Sequence, residues 1–317
     1  MRHSAPSWRI PLLTVAVGAL LAVCPPAHAY DWTRPLQQGD TGKDVKALQV
    51  RVAGWFPRSV QKKFPIDGVY SLRTANAVKA LQSFFGLTAD GIAGQETLDF
   101  LNTFEDPDGS TIHFDFKEFA QHENSQCSAQ ANAYSGTFNG GMVSKWTVKR
   151  NVKRLMWRLE AVRAKGGGKT IGINSGFRSV AYNDCIGGAR SSQHMYGTAA
   201  DNRMAETDNR LHRDLAKASQ IHGIGCYASL SHNHFDLRID NADLPGSQFW
   251  WWPDRDESGR DLDESSRPCW GEHDSSASGG GGTNSSFAPV GGSRIPSLFE
   301  VLRFAAAGEP SDLAGAD

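Results

Sequence analysis

Ser192-Gln193-His194-Met195-Tyr196-Gly197-Thr198-Ala199-Ala200-Asp201 sets an imidazole and a carboxylate seven residues apart around a glycine. On one continuous helix that spacing separates the two groups by roughly 10 Å along the axis, too far to share an ion. The two must sit across a bend. Gly197 supplies it, because glycine reaches positive φ without a Cβ clash, and Thr198 to Ala200 are small enough for a buried strand. The chain therefore folds back and brings His194 and Asp201 together.

A partner segment follows in Ser231-His232-Asn233-His234-Phe235-Asp236-Leu237-Arg238-Ile239, where polar and apolar residues alternate as in a half-buried strand. Period two puts His232, His234, Asp236 and Arg238 on one face and turns Phe235, Leu237 and Ile239 into a core. One histidine from this face, added to His194 and Asp201, makes two imidazoles and a carboxylate, the donor set of a catalytic zinc site with a fourth position open to water. A structural zinc site would close the sphere with thiolates. Each histidine alone reads more often as a hydrogen-bonded core residue or a surface residue than as a ligand; the ordered set S-x-H-x-x-G-x-A-x-D followed by H-x-D-x-R is what points to metal.

These residues resemble the M15 family of zinc D-Ala-D-Ala carboxypeptidases and related peptidoglycan peptidases. Ser192 to Asp201 corresponds to its first zinc motif, His234 to Arg238 to its second, and Gly176-Phe177-Arg178-Ser179 to its upstream arginine motif. The resemblance runs from about Phe114 to Trp252. It implies one zinc ion held by His194, Asp201 and His234. One position departs from the pattern: many members carry an acidic general base three residues before the last ligand, and here that position is Ser231. Either His232 takes the proton, or water is activated by another route, or activity is weak.

The expected roles follow. His232 shuttles the proton or steadies the oxyanion. Arg178, delivered at the exit of a short strand over Thr170 to Asn174, clamps a terminal carboxylate through two parallel hydrogen bonds. Ser192 is a substrate-binding candidate. Asp236 orients a ligand imidazole and Arg238 holds Asp236, with a purely structural Asp236–Arg238 pair as the equal alternative.

The chain has 317 residues, a formal net charge of −1 and 39% hydrophobic residues, which bounds it as an ordinary two-domain protein. Near-neutral charge and the lack of any nucleic-acid module pattern exclude RNA and DNA as expected partners. Residues 1–29 read as an export signal: Arg2 and Arg9 precede an apolar run from Ile10 to Val23, and Ala27-His28-Ala29 is a cleavage site, so the mature chain starts near Tyr30. The run is shorter than the ~20 apolar residues of a membrane span. Cys24 raises a lipoprotein alternative, which the bulk of Val23 before it disfavours.

Residues 30–104 form a unit with an internal echo. Asp67-Gly68-Val69-Tyr70-Ser71-Leu72-Arg73-Thr74 recurs as Asp90-Gly91-Ile92-Ala93-Gly94-Gln95-Glu96-Thr97, each a turn followed by a helix start. Val45, Leu48, Gln49 and Val52 fall at helical spacing, as do Ala77, Val78, Leu81, Phe84 and Phe85. The unit resembles an all-α, three-helix peptidoglycan-binding domain. Residues 105–110, with Pro107 and Gly109, read as the linker, and residues 111–273 as an α+β zinc peptidase domain whose small antiparallel sheet bears the site. Within it, Trp146 to Ala164 is an amphipathic helix with a solvated basic face that includes Lys153, Arg154 and Arg158; Ala205 to Ile221 is a second helix, with His212 and His222 as surface or packing residues. Phe249-Trp250-Trp251-Trp252 reads as core packing beside the zinc strand, with the lining of a wall-substrate groove as the alternative. Residues 274–294 are a Gly/Ser-rich disordered tether, and residues 295–317 a tail with a short helix.

Once Cys24 leaves with the signal, Cys127, Cys185, Cys226 and Cys269 remain, an even number that favours two disulfides in an exported protein. Four cysteines allow three connectivities. The family resemblance implies Cys127 with Cys185 and Cys226 with Cys269. Taken together, the expectation is a secreted, cell-wall-associated, monomeric zinc peptidase with peptidoglycan as partner and no membrane span after signal removal. It trims D-Ala from D-Ala-D-Ala ends; a cross-link endopeptidase and a non-catalytic wall-binding protein with structural zinc are the alternatives.

Overall fold

The structure is a computed structural model and describes residues 30–57, 64–121, 126–226, 232–238 and 250–252, the last three and Cys226 by backbone alone. The expected export signal, Ser231, Ile239, Phe249, Cys269 and the tether and helix expected over residues 274–317 lie outside the described residues.

The first unit is helical: α1 Lys43–Val52, α2 Leu72–Phe85 and α3 Gln95–Asn102. Its internal echo extends to individual hydrogen bonds. The buried amide of Gln49 on α1 accepts from Gly68 N at 2.8 Å and donates to Asp67, the Val69 carbonyl and Thr74. The buried amide of Gln82 on α2 accepts from Gly91 N at 2.9 Å and donates to Asp90, the Ile92 carbonyl and Thr97. Each Asp-Gly turn is thus closed by a glutamine from a preceding helix, which satisfies backbone groups that the turn leaves over. An aromatic core of Trp55, Phe85, Phe100 and Phe104 fills the space between the helices.

The second unit begins with the short helices α4 Phe116–Ala120 and α5 Ser128–Asn132, followed by the long α6 Lys145–Lys165, capped by the Ser144 side chain accepting from Thr147 N. Then come β1 Ile171–Ser175, α7 Val180–Cys185, β2 Ala199–Met204, α8 Asn209–Ala218, β3 Gly223–Cys226, β4 Asn233–Asp236 and β5 Trp250–Trp252. The sheet order is β1-β2-β4-β3-β5. Its first four strands pair antiparallel, as the alternating sequence implies, and β5 adds a parallel edge on β3. Cys127 and Cys185 form a disulfide, which ties the start of α5 to the end of α7.

Helix α6 is shared between the units. Val148, Val152, Leu155, Met156, Leu159 and Val162 pack in the core beneath the sheet. Trp157 and Ala161 belong instead to the aromatic core of the first unit. This corrects the reading of a solvated basic face: Arg158 is fully buried with Nε toward the Gln220 carbonyl at 3.4 Å, and Lys153 pairs with Glu105. Residues 105–110, the expected linker, form a hydrogen-bonded turn. Asp106 N donates to the Ser110 carbonyl, and the buried Glu105 bridges Arg51 of α1, at 2.5 Å, to Lys153 of α6. Removing the Trp157 indole from this shared core would cost about 3–5 kcal/mol.

Candidate metal centre

His194 arrives on a short 3-10 turn, Gln193–Tyr196, that ends at Gly197 with φ 71°. The left-handed backbone is only half of the requirement, since a Cβ at 197 would lie 2.7 Å from a Val148 methyl and 2.8 Å from its carbonyl oxygen. Helix α6 therefore sets how closely the turn approaches. Asn151 of the same helix fixes it further by donating to the Tyr196 carbonyl at 2.9 Å. After the glycine the chain enters β2, where Asp201 stands directly opposite His234 of β4.

Three ligand atoms converge. His194 Nε2 lies 3.1 Å from His234 Nδ1, His234 Nδ1 lies 2.9 Å from Asp201 Oδ1, and His194 Nε2 lies 3.3 Å from the same oxygen. A tetrahedral zinc with bonds of about 2.0–2.1 Å holds its ligand atoms about 3.3 Å apart, so the triangle has the right size to within a few tenths of an ångström. All three side chains are buried.

The outward atoms of each group are tied down, which fixes what faces inward. His194 Nδ1 lies 2.6 Å from the Gly176 carbonyl and so donates to it, leaving the Nε2 lone pair directed into the cluster. His234 Nε2 faces Asp236 Oδ2 at 3.2 Å, leaving Nδ1 for the cluster. Asp201 turns Oδ2 to Arg178 at 2.7 Å and keeps Oδ1 inward. Carboxylate and carbonyl partners on the far side of ligand imidazoles are the arrangement that orients metal sites. Asp236 is in turn gripped by Arg238 through Nε at 2.9 Å and Nη2 at 2.5 Å.

The electrostatics point the same way. Burial pulls the Asp201 carboxyl upward, but His194 and His234 outweigh it and hold it well below the usual carboxylate range. Burial likewise opposes a charge on His234, yet hydrogen bonds to Asp201 and Asp236 raise it to about 9. His194 moves down, chiefly through burial. The centre thus favours a positive charge between its two carboxylates. A proton on His234 meets that demand, and a divalent cation would meet it with shorter bonds.

The other expected residues fall around this cluster. His232 is partly buried just before β4; burial lowers its pKa, and it senses the charges of Asp201, His234 and Arg178. Its imidazole is therefore neutral near pH 7 and able to accept a proton. Arg178 does not stand alone at the mouth: Nε donates to Ser175 Oγ at 2.9 Å in addition to its bond to Asp201. Ser192 is partly exposed and accepts from Met195 N through its backbone, shaping the His194 turn. His212 and His222 are fully buried and outside the ligand cluster, with the His212 ring edge-on to Phe235.

Sequence reasoning missed the residues that hold the ligands from behind: the Gly176 carbonyl, Ser175 and Gly223. A backbone carbonyl leaves no mark in sequence. Gly223 did leave one, since the alternation Gly223-Ile224-Gly225 within a strand signals a close approach by a neighbour.

Comparison with known proteins agrees with this geometry. Residues 118–236 match the Peptidase M15 family, and residues 41–101 match a peptidoglycan binding domain. The chain is 36% identical over 231 residues to the zinc D-Ala-D-Ala carboxypeptidase of Streptomyces albus G, covering 67% of this chain and 84% of that protein. It is 41% identical over 80 residues to the N-acetylmuramoyl-L-alanine amidase CwlL of Bacillus licheniformis, covering 25% of this chain and 21% of that one. Among solved structures, the SleB N-terminal domain is 33% identical over 22% of this chain and 90% of its own, with a TM-score of 0.20, too low to speak for the fold. With a buried His-Asp-His cluster inside the matched segment and a relative aligned over most of its length, the chain belongs to the Peptidase M15 family.

Proposed function

We propose that this protein is a zinc-dependent peptidase of the bacterial wall that removes the C-terminal D-Ala from stem peptides ending in D-Ala-D-Ala. One observation carries the reading: three ligand atoms spaced for a tetrahedral ion, each on a group whose outward atom is anchored by Gly176, Asp236 or Arg178. His194, Asp201 and His234 would hold one zinc ion. When bound, zinc supplies a Lewis acid that polarises a carbonyl and acidifies a water.

The chain's own residues do the rest. His232, neutral near pH 7, takes the proton of the attacking water and passes it to the leaving amine. Arg178 has guanidinium N–H groups beyond the two given to Ser175 and Asp201, and these receive the terminal carboxylate of the substrate. Asp236, held by Arg238, keeps His234 in register. The N-terminal domain holds the enzyme on peptidoglycan outside the cell, in keeping with the leader-like residues 1–29. The relationship to a carboxypeptidase over 84% of its length favours exopeptidase action. One observation favours a cross-link endopeptidase instead: two of the Arg178 hydrogen bonds are already committed to the protein.

The test is product analysis by mass after incubation with an uncross-linked pentapeptide ending in D-Ala-D-Ala and, separately, with cross-linked dimer. Release of free D-Ala is expected. Cleavage of dimer without D-Ala release would make the enzyme an endopeptidase.

A further inference from the structure

Helix α6 presents different faces near its N-terminal end. Val148 and Asn151 meet the turn that carries His194. Trp146, Lys149, Arg150 and Lys153, at i, i+3, i+4 and i+7, share another side and, with Phe116 and Asp108, line a groove of about 300 Å³. The groove lies where the first unit hands over to the second, one helix face away from the metal centre.

Its chemistry is aromatic with a cationic rim. Trp146 is 72% exposed, although indoles are highly buried on average. The Lys145 ammonium lies 5.3 Å from the Trp146 ring centroid, and the Lys149 ammonium 4.2 Å from that of Phe116. Lys149 also reaches the Asp108 carbonyl at 3.5 Å, and Arg150 touches Thr147 Oγ1 at 3.3 Å. Lys153 is taken by Glu105. The lining carboxylate, Asp108, is turned to the backbone and hydroxyl of Ser110. Lys145, Lys149 and Arg150 therefore outnumber the acidic group around an exposed indole. A ligand that fits carries a flat apolar face for stacking and carboxylates for the rim.

Resting on the peptidase reading above, we infer that this groove is a second, non-catalytic subsite for the peptidoglycan glycan strand. A sugar ring lies on Trp146, and free stem-peptide carboxylates pair with Arg150 and Lys149. Polyol phosphate chains offer the charge without the ring face, so they match only half of the site. Because α6 also fixes the His194 turn, a strand seated here is held at a set distance from the reacting centre.

The experiment measures calorimetric binding of uncross-linked glycan strands bearing tetrapeptide stems, which lack the scissile D-Ala-D-Ala bond, to the full zinc-loaded chain. Trp146→Ala and Arg150→Gln should each weaken binding roughly five- to tenfold, the contribution common for a truncated interface anchor. Added salt should shrink only the Arg150 effect. Thermal midpoints and zinc affinity report whether the variants keep their fold. Strand affinities equal to wild type in both folded variants would overturn the subsite. So would a polyglycerol phosphate chain that binds through Trp146 while the glycan strands do not. Failure of wild-type protein to release D-Ala from free pentapeptide would remove the activity and leave this binding comparison intact.

Discussion

Gly223 of β3 stands opposite Asp236 of β4, and a Cβ at position 223 would lie 2.2 Å from Asp236 Oδ2. The missing side chain is the space that the carboxylate occupies while it faces His234 Nε2. Gly223→Ala should therefore push Asp236 off His234 and weaken zinc binding about 10- to 100-fold, the usual cost of losing a ligand's outer partner. Competition with a fluorescent chelator measures it, alongside a far-UV spectrum to show retained fold. A folded variant that holds zinc as tightly as wild type would show that Asp236 does not orient the ligand.

Arg178 joins two functions that kinetics separates. Arg178→Ala frees Asp201 Oδ2 and should lower zinc affinity about tenfold. With zinc in excess, the variant should still show KM for a D-Ala-D-Ala peptide raised roughly tenfold or more, because a terminal carboxylate loses its fork-shaped partner. Arg178→Lys should restore little of the second effect. If KM stays at the wild-type value in zinc-saturated enzyme, Arg178 serves Asp201 alone.

His232→Ala leaves His194, Asp201 and His234 in place. Stoichiometric zinc should remain while kcat falls about 100-fold or more, the scale of a lost general base. Full turnover would return the proton to some other group and leave Ser231 unexplained.

Glu105 predicts the acid stability of the contact between the two units. Burial pushes its carboxyl up, but the charges of Arg51 and Lys153 outweigh that and hold it below the ordinary range. A depressed folded pKa means that the unfolded chain binds the proton first, near pH 4.3. The stabilisation is thus complete above that value and is lost as pH falls through the folded one. Glu105→Gln should cost about 3 kcal/mol at pH 7 by stranding the buried cations, and should flatten the decline between roughly pH 5 and 3. Urea melts at three pH values check both. A variant whose stability falls with acid as steeply as wild type would place the acid-sensitive contact elsewhere.

Much of the candidate metal site was legible because its spacing had a local cause, while the choice of His234 over His232 rested on the family resemblance. Gly197 had to bend the chain, and the period-two pattern around His234 had to put Asp236 on the same face; both appear as φ 71° and as a 3.2 Å contact. The repeated Asp-Gly turns were legible for the same reason, and their glutamine latches, Gln49 and Gln82, lie in helices whose periodicity was plain. Arg158 was not legible: on a helical wheel it belongs to the basic face, and only tertiary contacts, among them Nε toward the Gln220 carbonyl, bury it.

By itself, then, the sequence determined that His194 and Asp201 meet across a bend, that His234 and Asp236 share a strand face, and that a helical unit precedes an α+β unit, because turn chemistry and hydrophobic period act over a few residues. The tertiary structure decided what the strands and helices do to one another. It put Gly176 behind His194, left room at Gly223 for Asp236, drew Arg178 onto Asp201, and made one face of α6 part of the first unit's core. Those contacts join groups far apart in the chain, so no local preference encodes them; close packing and the need to pair every buried charge select them only once the elements have met.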